Sequence, residues 1–192
     1  MKKALLVMTM VLFCSSGTDA CVGKILSIGV INSSEGQVLA EMLSTLISER
    51  TGTTVNLRFY RNGQDLYEAV KVKEVDILVD NTTRAMHVMN RPPETDARKA
   101  YEVAKASYEK ERGLVWLKPF GFSNGNGGEP SSYTSTILRV EVFSNFPALP
   151  RVLDKLGGAI NDETHVRLIK SVEAGEKPKK VARDFLKSRK LI

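Results

Sequence analysis

From Lys24 onward, short β-branched apolar runs alternate with amphipathic helical stretches, and this alternation limits the folds open to the chain more than any other feature. Lys24 to Ile31 (KILSIGVI) reads as a buried strand. It runs into Asn32-Ser33-Ser34-Glu35, a helix start with several capping side chains and an early carboxylate. Val38, Leu39, Met42, Leu43, Leu46 and Ile47 then recur at helical spacing as far as Arg50, and Gly52 is placed to close the helix. The pattern repeats with a strand at Thr54 to Tyr60, a helix at Gln64 to Val72 and a third strand at Asp76 to Val79. Strands separated by single helices pair in parallel through right-handed crossovers. The expected fold is therefore α/β, a mostly parallel sheet with helices on both faces.

Further along, Asn81 to Met89 reads as a short helix and Arg91-Pro92-Pro93-Glu94 as a break. Thr95 to Arg112 forms a long helix closed by Gly113, and Leu114 to Leu117 is a fourth strand. Gly121 to Ser132 (GFSNGNGGEPSS) carries four glycines and one proline and reads as a loop. A strand at Thr136 to Phe143 follows, then helices at Pro147 to Leu156, Asp162 to Glu173 and Lys179 to Arg189. In the last helix Val181, Ala182, Phe185 and Leu186 share one apolar face.

The first twenty residues have the composition of an export leader: Lys2-Lys3, an apolar run from Ala4 to Phe13, and Thr18-Asp19-Ala20 before Cys21. Ten apolar residues fall well short of the roughly 20 that span a bilayer. The expectation is a leader at 1–20, one domain at 21–192, and a periplasmic or extracellular location. Cys14 would leave with the leader, and Cys21 would remain either as a lipid attachment point that anchors the chain to the membrane or as a spare thiol at a frayed end. The formal charge of +6 is mild. Its densest cluster, Lys177 to Lys190, reads as the solvated side of the last helix rather than a nucleic-acid surface.

Four stretches together resemble the glycine betaine, choline and related quaternary-amine-binding proteins of ABC importers. These are KILSIGVINSSEGQVLAEMLSTLISERTG, VNLRFYRNGQDLYEAVKVKEVDILVD, YEVAKASYEKERGLVWLKPFGFSN and the C-terminal VEVFSNFPALP to KSRKLI. The third is the most specific, because its Leu-Val-Trp-Leu-Lys-Pro strand and Gly-Phe-Ser-Asn turn follow the family pattern closely. The resemblance implies a periplasmic-binding-protein-like fold, a membrane subunit as partner, and a small quaternary-amine or other zwitterionic solute as ligand. Family members have two lobes, the second inserted after that turn. Here Gly125-Asn126-Gly127-Gly128 follows instead, so the resemblance implies a single three-layer lobe with a glycine-rich loop at 121–132 in place of the other.

A quaternary ammonium donates no hydrogen bond and is held by aromatic faces. The family places tyrosines in a Tyr-x-x-Tyr-Thr-Gly pattern after its third strand. The matching residues are Leu78-Val79-Asp80-Asn81-Thr82-Thr83, and only Thr82 is kept. Tyr60, Tyr67, Tyr101, Tyr108 and Trp116 fall on strands and helices, where core packing or a half-exposed face is expected of them, with Tyr133 in the loop. Ligands of open α/β folds bind outside the carboxyl ends of the strands. The candidate ligand residues are therefore Asn32, Ser33, Ser34, Glu35, Asn81, Thr82, Thr83, Phe122, Ser123 and Asn124, several of which read equally well as ordinary helix caps.

No catalytic or cofactor motif is present, and His87 and His165 have no metal-ligand spacing, so neither enzyme activity, metal nor cofactor is expected. The leading expectation is a solute-binding-protein-like component with weakened or altered ligand binding. Its rival is an interaction or homodimerisation domain that uses an apolar patch around Phe120, Phe122, Tyr133 and Leu78 on the exposed interlobe face.

Overall fold

The computed structural model describes residues 25–123 and 130–192; the leader, Cys21, Asn124 and the glycines after it lie outside the described residues. The chain enters through β1 (Leu26–Ile31), where Leu26, Ile28 and Val30 all point into one core. Ser33 caps α1 (Ser34–Thr51) by accepting from the Gly36 amide at 3.0 Å, and Gly52 ends it at φ 69°, a left-handed turn that favours glycine. β2 (Val55–Tyr60), α2 (Gly63–Lys71), β3 (Ile77–Asn81), α3 (Thr82–Val88) and α4 (Ala97–Arg112) follow. Asn62, Asn81 and Asp96 cap the three helices through their side-chain oxygens. The second half comprises β4 (Leu114–Trp116), β5 (Gly121–Ser123), β6 (Ser132–Arg139), α5 (Val140–Asn145), α6 (Leu149–Leu153) with a 3-10 turn at Asp154–Leu156, α7 (Asp162–Glu173) and α8 (Pro178–Ser188).

The strand order is β2-β1-β3-β6-β4, with β5 also paired to β6. β1 lies parallel to β2 and β3, while β6 runs antiparallel to β3, β4 and β5. Five strands therefore point one way and β6 alone is reversed, which makes the sheet mostly parallel in direction, as expected.

The sheet separates two cores because successive strand residues face opposite sides. Ile77, Val79 and Leu138 face one core with α1 and α8, and Leu78, Ile137 and Trp116 face the other with α2 and α4. This is the three-layer arrangement expected from the sequence. In α8, Val181, Ala182, Phe185 and Leu186 are buried, leaving the basic residues outward, where Arg183 meets Glu49 of α1 at 2.7 Å.

Three local expectations change. The strand expected at Thr136 to Phe143 begins four residues earlier and stops at Arg139, and Val140 to Asn145 is helical. A strand persists only where neighbours supply a ladder, and the partners of β6 end at Ile77 and Leu114. Arg139 closes it by donating to Asp76 at 2.5 Å and to the Val75 carbonyl at 3.1 Å. The segment 121–132, expected as a loop, has strand at both ends, since Gly121–Ser123 pairs with Ser132–Thr134. Tyr133 consequently sits on a strand rather than in a loop.

Among the described residues no helix is long and apolar enough to cross a membrane.

Candidate functional site

The parallel strands bring their carboxyl ends to one edge of the sheet, and the residues there form the candidate site. Ser33 and Glu35 after β1, Asp80 and Asn81 at the end of β3, Arg84 of α3 and Thr134 of β6 line a cavity of about 20 Å³. That is room for about one water molecule.

Asp80 anchors this site. It is buried, yet every oxygen is engaged: Arg84 Nη1 donates to Oδ1 at 2.9 Å, the Asn81 amide to Oδ1 at 2.8 Å, and the Tyr67 hydroxyl to Oδ2 at 2.8 Å. Burial nevertheless dominates and holds the Asp80 carboxyl above its ordinary range, against the opposing pull of Arg84, Tyr67 and the Asn81 amide. Tyr67 is pushed well up, first by its own burial and then by the neighbouring carboxylate, so it stays a hydrogen-bond donor.

Glu35 reaches across the cavity rim to α7, where His165 Nε2 lies 2.9 Å from its Oε1. Burial raises the Glu35 carboxyl, but the hydrogen bond and charge of His165, with Arg84 beyond, outweigh it and leave the group below its ordinary value. The Glu35 hydrogen bond raises His165, burial opposes it, and the charges of Glu35 and Asp162 add to the rise. The sign of the resulting pH dependence follows from linkage. The stabilisation from raised His165 is complete below its unfolded value of 6.5 and is lost as pH climbs through the folded one. That from lowered Glu35 is complete above 4.5 and is lost as pH falls through its folded value. His165→Gln should therefore lose most stability, roughly 1–2 kcal/mol, between pH 4.5 and 6.5, and progressively less in alkali. Urea unfolding of both proteins across pH checks this, and a loss that does not vary with pH contradicts it.

Of the described residues singled out in the sequence, the structure gathers Ser33, Glu35 and Asn81 at the cavity and leaves Asn32, Ser34, Thr82, Thr83, Phe122 and Ser123 out of its lining. Ser33 and Asn81 also serve as caps, Asn81 accepting from the Arg84 amide at 2.8 Å. Ser34 occupies the first position of α1, and Asn32 accepts from the Gln37 amide group at 3.1 Å. Thr82 is buried and faces β6: its hydroxyl is 3.1 Å from that of Ser132 and accepts from the Tyr133 amide at 3.2 Å. Thr83 donates its amide to Ser132 at 3.4 Å. These two threonines fasten α3 to β6.

Phe122 and Ser123 lie on β5, where the Phe122 ring tilts against Tyr133 at a centroid distance of 5.2 Å. Asn124 lies outside the described residues.

Tyr133 continues inward to Tyr101, Trp116, Tyr108 and Tyr67, each ring edge-on to the next at 5.5–6.3 Å. Those four rings are buried, as expected of core residues. Phe120 and Leu78 are also buried, on opposite faces of the sheet, so the apolar patch expected around them is reduced to Phe122 and Tyr133.

Sequence reasoning missed Arg84, Thr134 and His165. Arg84 had a signal, standing four residues after Asp80 on one helical turn. His165 had none, being 130 residues from its partner. Among the described residues no group of His, Cys, Asp and Glu is arranged to hold a metal ion.

A three-layer α/β lobe with polar strand ends gathered at one sheet edge has the architecture of a solute-binding-protein lobe, and solved structures share it. A glycine betaine/carnitine/choline ABC transporter structure superposes with a TM-score of 0.77 at 14% identity, over 88% of this chain and 98% of that one. Apo YehZ from Escherichia coli gives 0.76 at 12% identity, over 88% and 100%. Lactococcal OpuAC, closed on glycine betaine, gives 0.59 at 10% identity, over 87% and 96%. None of the curated proteins matches the sequence.

Residues 24–128, more than half of the chain, match the substrate-binding domain of the ABC-type glycine betaine transport system (OpuAC), and the protein belongs to that family. It is a substrate-binding component of an ABC import system and not an enzyme.

Proposed function

We propose that the chain is one lobe of such a binding protein, residues 21–192 after a leader at 1–20, exported to the periplasm or cell exterior, with recognition of quaternary amines weakened or altered. The observation that carries this is the composition of the carboxyl edge. Tyr60, Phe122 and Tyr133 are its half-buried rings, Phe122 tilting against Tyr133, while Leu78 and Asn81 stand where the family pattern has tyrosines. Leu78 is wholly buried and Asn81 is spent as a cap, so neither can present a face to a cation.

The cavity, about the size of one water, leaves a solute exposed on its outer side. The second wall would have entered between β5 and β6, where the glycine-rich segment stands. Calorimetric titration of glycine betaine, choline and carnitine is expected to give millimolar dissociation constants at the tightest. Micromolar binding by the monomer contradicts the reading.

The rival reading, an interaction or dimerisation surface on this face, would be favoured by a contiguous apolar patch, and the burial of Phe120 and Leu78 leaves Phe122 and Tyr133 to supply it.

A further inference from the structure

On the face of the sheet covered by α2, α3 and α4, a cavity of about 570 Å³ is lined by Asn62, Gly63, Gln64, Tyr67, Arg84, His87 and Arg112, with Glu68, Val88 and Asn90 completing it. Its volume is that of a small-molecule site. Its charges are unevenly matched. Arg84 is paired with Asp80, and Glu68 with Lys71 at 3.5 Å. Arg112 has no carboxylate within salt-bridge distance among the described residues.

Arg112 is nonetheless held in place. Its guanidinium lies over the Tyr67 ring at 5.7 Å and the Tyr108 ring at 5.4 Å, and it donates to the Val88 carbonyl at 3.5 Å. Aromatic faces position a cation without neutralising it, and they leave the planar fork free to take an oxyanion. Tyr67 links this cation to the second one: its face carries Arg112, and its hydroxyl binds Asp80, which holds Arg84.

We propose that this cavity is a second binding site, for a small solute bearing a carboxylate or phosphate group, with Arg112 as the main counter-charge and Arg84 and His87 on its walls. The cavity is an open groove between α2, α3 and α4, with Asn62, Gln64, His87 and Arg112 exposed along it, and its occupant is a free solute.

The test is an amide-resolved NMR titration with inorganic phosphate, ionic strength being held constant with sodium chloride to remove general screening. Saturable shifts at Gly63, Gln64 and His87 are expected. Arg112→Gln should weaken the affinity about tenfold, and Arg112→Lys, which keeps the charge but not the planar fork, should fall between the two. Non-saturating shifts, shifts confined to α8, or an affinity unchanged in Arg112→Gln overturn the proposal. If Arg112→Gln fails to fold, His87→Gln at an exposed position decides: about threefold weaker binding supports the site, and unaltered binding rejects it. Arg112-dependent sedimentation with phosphatidylglycerol vesicles, without a response to free phosphate, also rejects it.

Discussion

Asp80→Ala is expected to lower the unfolding free energy by roughly 3 kcal/mol, while Asp80→Asn stays within about 1 kcal/mol of the parent. The difference rests on what each side chain leaves behind. Alanine strands the Tyr67 hydroxyl, a donor buried among apolar neighbours, and removes the acceptor of the Asn81 amide. A buried polar group without a partner bears its full desolvation penalty. Arg84 loses less, because its side chain is 31% exposed and can turn to water.

Asparagine keeps one acceptor oxygen in nearly the same place and removes the buried charge, whose desolvation already outweighs its pairing with Arg84. Relief of that penalty offsets much of the lost ion pair. Denaturant unfolding of both variants separates the explanations. If asparagine proved as damaging as alanine, the ion pair rather than the hydrogen-bond acceptor would be what Asp80 supplies.

Gly36→Ala is the second large effect, at about 3 kcal/mol of lost stability. A Cβ at this position would meet the Ile31 carbonyl oxygen far inside van der Waals contact. The obstacle is backbone at the end of a buried strand and cannot rotate away. Relief requires α1 to move off β1, which also pulls the Gly36 amide from its cap on Ser33. Gly29→Ala provides the comparison, since its Cβ would meet the Leu66 Cδ1 methyl at 2.6 Å and the Val75 methyls at 2.9 Å. Those are side-chain atoms rather than backbone, but both methyls of buried Val75 are met, so a loss of about 2 kcal/mol is expected there. Thermal and urea unfolding of the two variants should keep that order. A reversed order would mean that the first turn of α1 tolerates displacement.

Gly36 itself lines the candidate cavity. α1 starts immediately above the end of β1 because Gly36 permits it, and that placement sets Glu35 at the cavity rim.

Much of this was legible in the sequence. The alternation of β-branched runs with amphipathic stretches specifies strands and helices one after another. Ser33, Asn81 and Gly52 punctuate them, since a cap acts on amides two or three residues away. Tyr67, Tyr101, Tyr108 and Trp116 could be assigned to the core because periodicity alone places them on apolar faces.

Tertiary structure decided what depends on contacts between distant segments. The end of β6 is set by where β3 and β4 stop offering partners, although the alternation of apolar residues runs on to Phe143. Tyr133 became a strand residue because β5 and α3 reach it from 11 and 51 positions away. Whether Asp80 is an exposed strand-end carboxylate or a buried anchor depends on Tyr67 and Arg84 closing around it. Glu35 acquires its partner only when α7 returns to the start of α1. Local pattern determines which segments become helix or strand. The charge state and reach of a polar side chain depend on the dielectric and the neighbours that packing brings, and these come from the folded whole.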